Sequence, residues 1–255
     1  MLKKLFKFGE NKEDVIEIWS TAEGLPDVEP VKESSHFLPQ WWINTPKWQD
    51  DGQKEANITD NVNNKGTVKR CPAIPEFMSM GFVVPLWCDV RVEIFDDGGW
   101  KWNSPSNQFQ FSNHGETQLA THVPKHAKPT MILKPECPWR VRTPKGVSLL
   151  QLPMFWHFNP NFTVAPGVIW TDIHHEINQQ MMFHRKGVFN LQRGMPLAHY
   201  IPIRREDWNL QVTNQTEELR RAANASFLHV RTKFAGGYPK HRKDIIKECP
   251  HATSK

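Results

Sequence analysis

The residues with the clearest potential for chemistry lie in the segment 167–178, GVIWTDIHHEIN. Asp172, His174 and Glu176 occupy alternate positions in this segment, and Trp170 stands two residues before them. Alternate residues of an extended strand project from the same face, about 6–7 Å apart. The segment is therefore predicted to be a strand with this polar row on one face and an apolar core face made of Ile169, Ile173 and Ile177.

An aspartate and a histidine two residues apart could bind one metal ion. Asp172 and His174 have a spacing that lets a carboxylate and an imidazole reach one iron or manganese ion, with coordination positions left open for oxygen chemistry. A third ligand would come from another strand, and His199 and His157 are the candidates. Trp170, beside the row, would contact a bound ligand.

The favoured interpretation is structural, because three ligands cannot be shown to converge from sequence alone. In this interpretation Asp172 pairs with His174 on the solvent face of an antiparallel sheet, and His199 is a hydrogen-bonded core histidine. Twelve histidines in one chain also make a chance cluster easy. No cofactor is then expected.

Most of the chain has the pattern of short antiparallel strands. The run CDVRVEIF alternates apolar and polar residues, DDGG follows at 96–99, and GWKWN alternates again. This pattern predicts a hairpin with a positive φ at one or both of its glycines. Further runs, among them VSLLQLPMFWHF and MPLAHYIPI, recur at intervals of about eight to twelve residues. The spacing predicts a mainly β fold, an antiparallel barrel or sandwich.

One segment instead has helical spacing. From Asn214 the sequence reads NQTEELRRAANASFLHVRTKFAGG, in which apolar residues recur at helical intervals. Asn214 and Glu217 fit a capping box. We therefore expect a β-rich domain over 1–213 with a polar loop near 49–66, and a C-terminal helix and basic tail over 214–255 packed on the same domain.

The positive charge is concentrated near the C-terminal end. The net charge is +5, and the segment 219–255 holds nine Lys/Arg against two Asp/Glu. A basic tail can attract nucleic acid or an acidic protein surface. Because the sequence has no base-reading motif, nucleic acid is not an expected partner. A protein partner, a small ligand and a homo-oligomer stay open.

The sequence does not predict a membrane or secreted protein. Its apolar runs are too short to span a bilayer, and the N-terminal MLKKLFKFGENKED lacks the apolar region of a signal peptide. The cysteines at 71, 88, 137 and 249 are scattered without a C-x-x-C pair and are predicted to be reduced thiols. We expect a soluble cytoplasmic protein.

Several long segments resemble one family of phage proteins. FLPQWW, TVKRCPAIPEFMSMGFVVPLWCDV, PWRVRTPKGVSLLQLPMFWHFN, GVIWTDIHHEINQQ and RGMPLAHYIPIRRE occur in this order over nearly the whole chain. They resemble an uncharacterised family found in tailed phages, including marine T4-like phages, and in some bacteria. The resemblance implies a viral source, and it implies no activity. For a phage protein, the cytoplasm expected above is that of the host.

A shorter stretch resembles the β-clip fold of dUTPases and dCTP deaminases. PKGVSLLQLP, APGVIWTD and FNLQRGMPLAHYIPI follow one another as the strands of that superfamily do. Gly167–Ile169 match its Gly-Val-Ile-Asp turn, but Trp170 stands where the catalytic aspartate would be. Leu152–Met154 stand in place of its Arg-Ser phosphate-binding motif. The resemblance implies a β-clip fold and speaks against dUTP hydrolysis, while a cupin-like jelly roll has similar strand spacing.

Together these patterns predict a phage-encoded β-domain protein that binds a ligand or partner without catalysis. Two alternatives stay open. The protein could be an enzyme, either a cupin-like metal-dependent oxygenase or a divergent nucleotide hydrolase. It could also be a structural component of the virion.

Overall fold

The fold is taken from a computed structural model, which describes residues 15–47, 49, 66–114, 118, 123–124, 126 and 128–231. In this part of the chain, fourteen strands form four antiparallel sheets. The predicted mainly β fold with a C-terminal helix is confirmed. Over the described residues the sheets do not close into a barrel.

The strands, in chain order, are β1 (Glu17–Ser20), β2 (Lys32–Glu33), β3 (Phe82–Pro85), β4 (Val90–Ile94), β5 (Trp100–Asn103), β6 (Phe111–His114), β7 (Met131–Pro135), β8 (Trp139–Arg142), β9 (Val147–Pro153), β10 (Phe162–Val164), β11 (Gly167–Ile169), β12 (Met181–Phe183), β13 (Gly187–Leu191) and β14 (Pro196–Arg204). The α-helices are α1 (Leu25–Val28), α2 (Gln40–Asn44), α3 (Ala73–Ser79) and α4 (Glu217–Arg231). The 3-10 turns are Ser34–Phe37, Val68–Arg70 and Phe155–His157. Helices α1 to α3 have four, five and seven residues, too few to give a helical period in the sequence.

The largest sheet has the strand order β11-β9-β14-β3-β2. The other three sheets have the orders β10-β12-β7-β6, β13-β4-β5 and β1-β8. Strand β14 lies at the centre of the largest sheet and pairs with β9 from Ala198↔Pro153 to Arg204↔Val147. The remaining strands of this sheet add to the central pair: β11 pairs with β9 at one edge, and β3 pairs with β14 on the other side.

The core is mostly apolar, and it contains a small hydrogen-bonded network around Tyr200. Tyr200 is completely buried, and its hydroxyl donates to Gln151 Oε1 at 2.8 Å. The Gln151 amide nitrogen donates in turn to the carbonyl oxygen of Ala165 at 2.8 Å. Because each of these buried polar groups has a partner, the network is compatible with a stable core.

The hairpin predicted around residues 96–99 is confirmed. Strands β4 and β5 pair from Ile94↔Trp100 to Arg91↔Asn103, so the two alternating runs face each other as expected. The N–H of Gly98 donates to Phe95 O at 3.2 Å, and Gly98 has a φ of +86°. A glycine is favoured at such a position because L side chains rarely adopt a positive φ.

The strand predicted over 167–178 is wrong beyond Ile169. The chain turns at 171–173, where Thr171 is completely buried and its hydroxyl lies 2.8 Å from that of Thr143. It then approaches β8, through a bridge between Arg140 and Glu176. The segment therefore pairs first with β9 and then with β8, which belongs to another sheet. The turn between these two pairings breaks the predicted alternation. The expected core residue Ile173 is 70% exposed, whereas Ile177 is buried.

The chain divides between Arg204 and Arg205 into two units, with all the strands in the first and α4 in the second. Helix α4 begins at Glu217, and Thr216 Oγ1 accepts a hydrogen bond from the N–H of Leu219. Thr216 is therefore the N-cap, and the predicted capping box at Asn214 is wrong.

The Glu217 carboxylate instead accepts hydrogen bonds from Arg220 and, at 3.3 Å, from Arg221. The hydrogen bond from Arg220 lowers the pKa of Glu217. Leu219 and Phe227 are 49% and 53% exposed, and the packing of α4 on the β-rich domain stays a prediction. Nearly all of the predicted polar loop near 49–66 and the basic tail beyond residue 231 lie outside the described residues.

Candidate functional site

Within the polar row predicted at Asp172, His174 and Glu176, Asp172 bonds a backbone N–H, whereas His174 and Glu176 contact each other. Asp172 Oδ2 accepts a hydrogen bond from the N–H of Gly146 at 3.0 Å, which ties the turn after β11 to the turn between β8 and β9. His174 Nε2 lies 3.9 Å from Glu176 Oε2, and Glu176 Oε1 lies 3.3 Å from the Arg140 guanidinium. Exposed ion pairs of this kind contribute about 0–1 kcal/mol.

His199 and His157 each hydrogen-bond a backbone carbonyl that is distant in the sequence. His199 Nε2 donates to Met80 O, and its ring lies edge-on to that of Phe77 with ring centres 5.2 Å apart. His157 Nε2 donates to Phe37 O at 2.7 Å. Burial lowers the pKa of both imidazoles, so both are neutral at neutral pH.

The candidate metal ligands are not brought together. Among the residues that the structure describes, no three His, Cys, Asp or Glu side chains are close enough to hold one ion. The set Asp172, His174, His199 and His157 therefore gives no site for iron or manganese in this part of the chain. Trp170, the predicted ligand contact, has a side chain that is about half exposed.

Glu176 lines a polar cleft of about 630 Å³. The charged residues that line it are Glu23, Lys134, Glu136, Arg140 and Glu176. Cys137 also lines the cleft, and burial raises the pKa of its thiol to about 12. A nucleophilic cysteine needs the opposite shift, because the thiolate is the reactive form. The geometry therefore gives no support to covalent catalysis by Cys137.

A second candidate is an aromatic cluster formed by Trp41, Phe155, Trp156 and Phe158. Trp41 lies on α2, and the other three lie on the 3-10 turn that follows β9 or directly after it. The ring centre of Trp41 is 5.6 Å from that of Phe158, and the Phe155 and Trp156 centres are 5.3 Å apart. These distances are typical of favourable aromatic pairs. Phe155 and Phe158 are nevertheless 61% and 60% exposed.

Two long-range hydrogen bonds hold the turn that carries most of the aromatic cluster. The indole N–H of Trp41 donates to Trp156 O at 2.7 Å, which joins α2 to the turn. The bond from His157 to Phe37 O joins the same turn to the 3-10 turn Ser34–Phe37. The exposed phenyl rings are therefore carried by a backbone whose position is set by packed neighbours.

The backbone of Phe158 is in the left-handed region, with φ 49° and ψ 43°. Among the described residues other than glycine, Phe158 is alone in having a positive φ. For a bulky residue this conformation costs about 1–2 kcal/mol. Such strain persists where the surrounding structure fixes it, and it is common at binding sites.

The aromatic cluster borders a cleft of about 460 Å³, which we call the neutral cleft. The described residues that line it include no Asp, Glu, Lys or Arg, and they comprise Pro153, Met154, Phe155, His157, Phe158, Asn159, Pro160, Asn161, Phe162, Thr163, Val164, Met195, Pro196 and Leu197. A site with such a lining suits a ligand without net charge.

Two amides supply hydrogen-bonding groups to the neutral cleft. Asn161 Oδ1 accepts from the Arg185 guanidinium at 2.6 Å, and Asn159 Oδ1 accepts from the N–H of Asn161 at 2.9 Å. The oxygen of each amide is therefore engaged. The amide nitrogens of Asn159 and Asn161 are the groups that could donate to a ligand.

The aromatic cluster was not predicted from the sequence, because VSLLQLPMFWHF was interpreted as one strand. Strand β9 ends at Pro153, and the apolar residues that follow form a 3-10 turn. One signal in the sequence points to this site. MFWHF follows a proline, lacks the alternation of a half-buried strand and precedes the turn residues NPN.

Comparison with known proteins adds no family to this description. No protein-family model matches the chain, and no curated protein matches it. In the described part of the chain, no helix has both the length and the apolar character needed to cross a bilayer.

Proposed function

We propose that the protein is a binding protein whose neutral cleft takes up an uncharged saccharide. The observation that carries the proposal is the pair of exposed rings, Phe155 and Phe158, fixed at the border of a cleft lined without charged side chains. A phenyl face packs against the C–H groups of a sugar ring. Amide N–H groups, such as those of Asn159 and Asn161, donate to its hydroxyl oxygens.

The local energetics support binding rather than a purely structural role. Two features of this turn are unfavourable for stability. The exposed phenyl rings lack the stabilisation that burial would give, and the left-handed backbone of Phe158 costs free energy. The structure keeps both unfavourable features in one turn, although a smaller polar residue would avoid them. A ligand that covers the rings provides the compensating interaction.

The resemblance to tailed-phage proteins supports a phage source for this binding activity, in the host cytoplasm or on the virion. We also propose a relation to a known fold: strands β9, β11 and β14 of the largest sheet, with β13 of the three-stranded sheet, would have a β-clip arrangement. Mass spectrometry of purified virions and of lysates from infected cells would distinguish a virion component from a cytoplasmic protein.

Binding is tested with an array of neutral oligosaccharides, followed by calorimetric titration with the one that gives the strongest signal. We expect Phe155→Ala and Phe158→Asn each to weaken binding roughly tenfold, or about 1.4 kcal/mol. The matched control is Val188→Ala, because Val188 is a similarly exposed apolar residue on β13 and does not line the cleft. Absence of binding to every neutral oligosaccharide, or binding that the two phenylalanine variants leave unchanged, would show the proposal to be wrong.

A further inference from the structure

The chain that follows β14 exposes a regular row of apolar side chains. Residues 207–213, DWNLQVT, form neither a helix nor a strand, and we call them the arm. Trp208, Leu210 and Val212 are 84%, 92% and 85% exposed. Polar residues occupy the positions between them. This alternation is typical of a strand with one buried face, yet that face is open to solvent.

The same chain has an uncharged edge strand that could receive such a segment. Strand β11 is one edge of the largest sheet, and its three residues are Gly167, Val168 and Ile169. The opposite edge, β2, consists of Lys32 and Glu33. Charged residues, especially lysine, protect an edge strand from pairing with another chain, and β11 lacks this protection.

The face of the sheet next to β11 offers apolar contacts. Val168 is 53% exposed and pairs with Leu150 of β9, which pairs with Ile201 of β14. Cross-strand partners lie on the same face of a sheet, so these side chains form one apolar row. The row is exposed at the edge and buried at Ile201. An added strand would extend it.

We propose that the arm of a second copy of this chain pairs with β11 and covers Val168 with Trp208, Leu210 and Val212. Each copy carries both the arm and the edge strand, so the exchange can be reciprocal about a twofold axis. Burial of one tryptophan alone removes roughly 150–250 Å² from solvent. Two arms, each with three apolar side chains and a paired backbone, approach the roughly 1,200 Å² at which specific interfaces begin.

The neighbours of β11 limit the pairing. Pro166 precedes the strand and has no N–H to donate, and the chain turns after Ile169. The hydrogen-bonded part of the interface is therefore short. The apolar side chains of the arm supply most of the contact, which makes Leu210, at the centre of the arm, the most sensitive position.

The experiment is sedimentation velocity on the full chain over a concentration series. We expect the wild type to reach twice the chain mass of 29.7 kDa. Leu210→Asp and Val168→Asp should each raise the dimer dissociation constant by roughly thirtyfold or more, as at an interface hot spot. Gln211→Asp is the matched control, because it adds the same charge on the other face of the arm and should leave the dimer intact.

Mixing the two impaired variants distinguishes arm exchange from other modes of association. Leu210→Asp retains a functional β11 and Val168→Asp retains a functional arm, so an equimolar mixture should form a heterodimer with one arm docked. Because one arm supplies half of the proposed interface, this heterodimer should be weaker than the wild-type dimer but tighter than the association of either variant alone. A monomeric wild type at all concentrations would overturn the proposal. So would a mixture that associates no more tightly than the separate variants, or a Val168→Asp variant that dimerises as the wild type does. Circular dichroism of each variant verifies that it is folded.

Discussion

At the scale of single residues, Phe158 combines a strained backbone with an exposed ring. Its left-handed conformation is maintained although the ring is 60% exposed and gains little from burial. The backbone N–H of Phe158 donates to Phe155 O at 3.3 Å, and the neighbouring His157 is held by its hydrogen bond to Phe37 O. The strain at Phe158 is therefore imposed by the turn that carries the ring.

This imposed strain predicts that Phe158→Asn will not destabilise the protein. Asparagine tolerates the left-handed region, so relief of strain should offset the lost ring contacts and leave the free energy of unfolding unchanged or raised by up to about 1 kcal/mol. Phe155→Asn is the control, because its ring is equally exposed and its φ is not positive. Chemical denaturation of both variants tests this. A loss of several kcal/mol for Phe158→Asn alone would show that the ring is structural.

At the scale of elements, the turn after β11 removes one of the core residues that simple alternation assigns. The polypeptide passes from β9 to β8 between Ile169 and Glu176, so Ile173 lies outside and Ile177 inside. Ile177→Ala should reduce the free energy of unfolding by about 2–5 kcal/mol through lost burial and the cavity that remains. Ile173→Ala, its matched control, should change it by less than about 0.5 kcal/mol. Thermal denaturation of the two variants checks this difference. A similar loss for both variants would support the continuous strand, which places both side chains in the core.

Substitutions at two glycines with positive φ distinguish the cost of backbone strain from the cost of steric overlap. A Cβ at Gly98 would meet no atom within 4 Å, whereas a Cβ at Gly81 would lie 1.9 Å from Tyr200 O. Gly98→Ala should therefore cost about 1–2 kcal/mol from the unfavourable φ alone. Gly81→Ala should cost about 1–3 kcal/mol more, because β14 must move. Equal melting temperatures for the two variants would contradict the close approach of Gly81 to β14.

The difference between what the sequence predicts and what it misses follows from the range of the interactions. The β4–β5 hairpin is predictable because its alternation and its glycine turn are local. The turn at 171–173 depends on Thr171 meeting Thr143 and on Asp172 meeting Gly146, contacts that span 28 and 26 residues. The aromatic cluster depends on the bond from Trp41 to Trp156, over 115 residues. Local patterns do not specify partners at such distances, so the candidate site is less predictable than the strands.

At the scale of the whole molecule, two neutral histidines join distant parts of the chain. His157 bonds Phe37 over 120 residues, and His199 bonds Met80 over 119. Both connect the region around β9 and β14 to segments that precede β3. Because burial lowers the pKa of each imidazole, the folded protein disfavours the proton that the unfolded chain accepts.

The depressed pKa values predict that acid destabilises the fold as a whole. The ordinary histidine pKa is about 6.5, so the free energy of unfolding should be highest above this pH. It should fall as the pH drops below about 6.5, because the unfolded state then binds more protons than the folded state, and level off once the folded imidazoles are protonated. His199→Gln retains an N–H donor for Met80 O but cannot titrate, so its melting temperature should fall less steeply between neutral and acidic pH. If His199→Gln keeps the wild-type slope, protonation of His199 does not limit the acid stability of the fold.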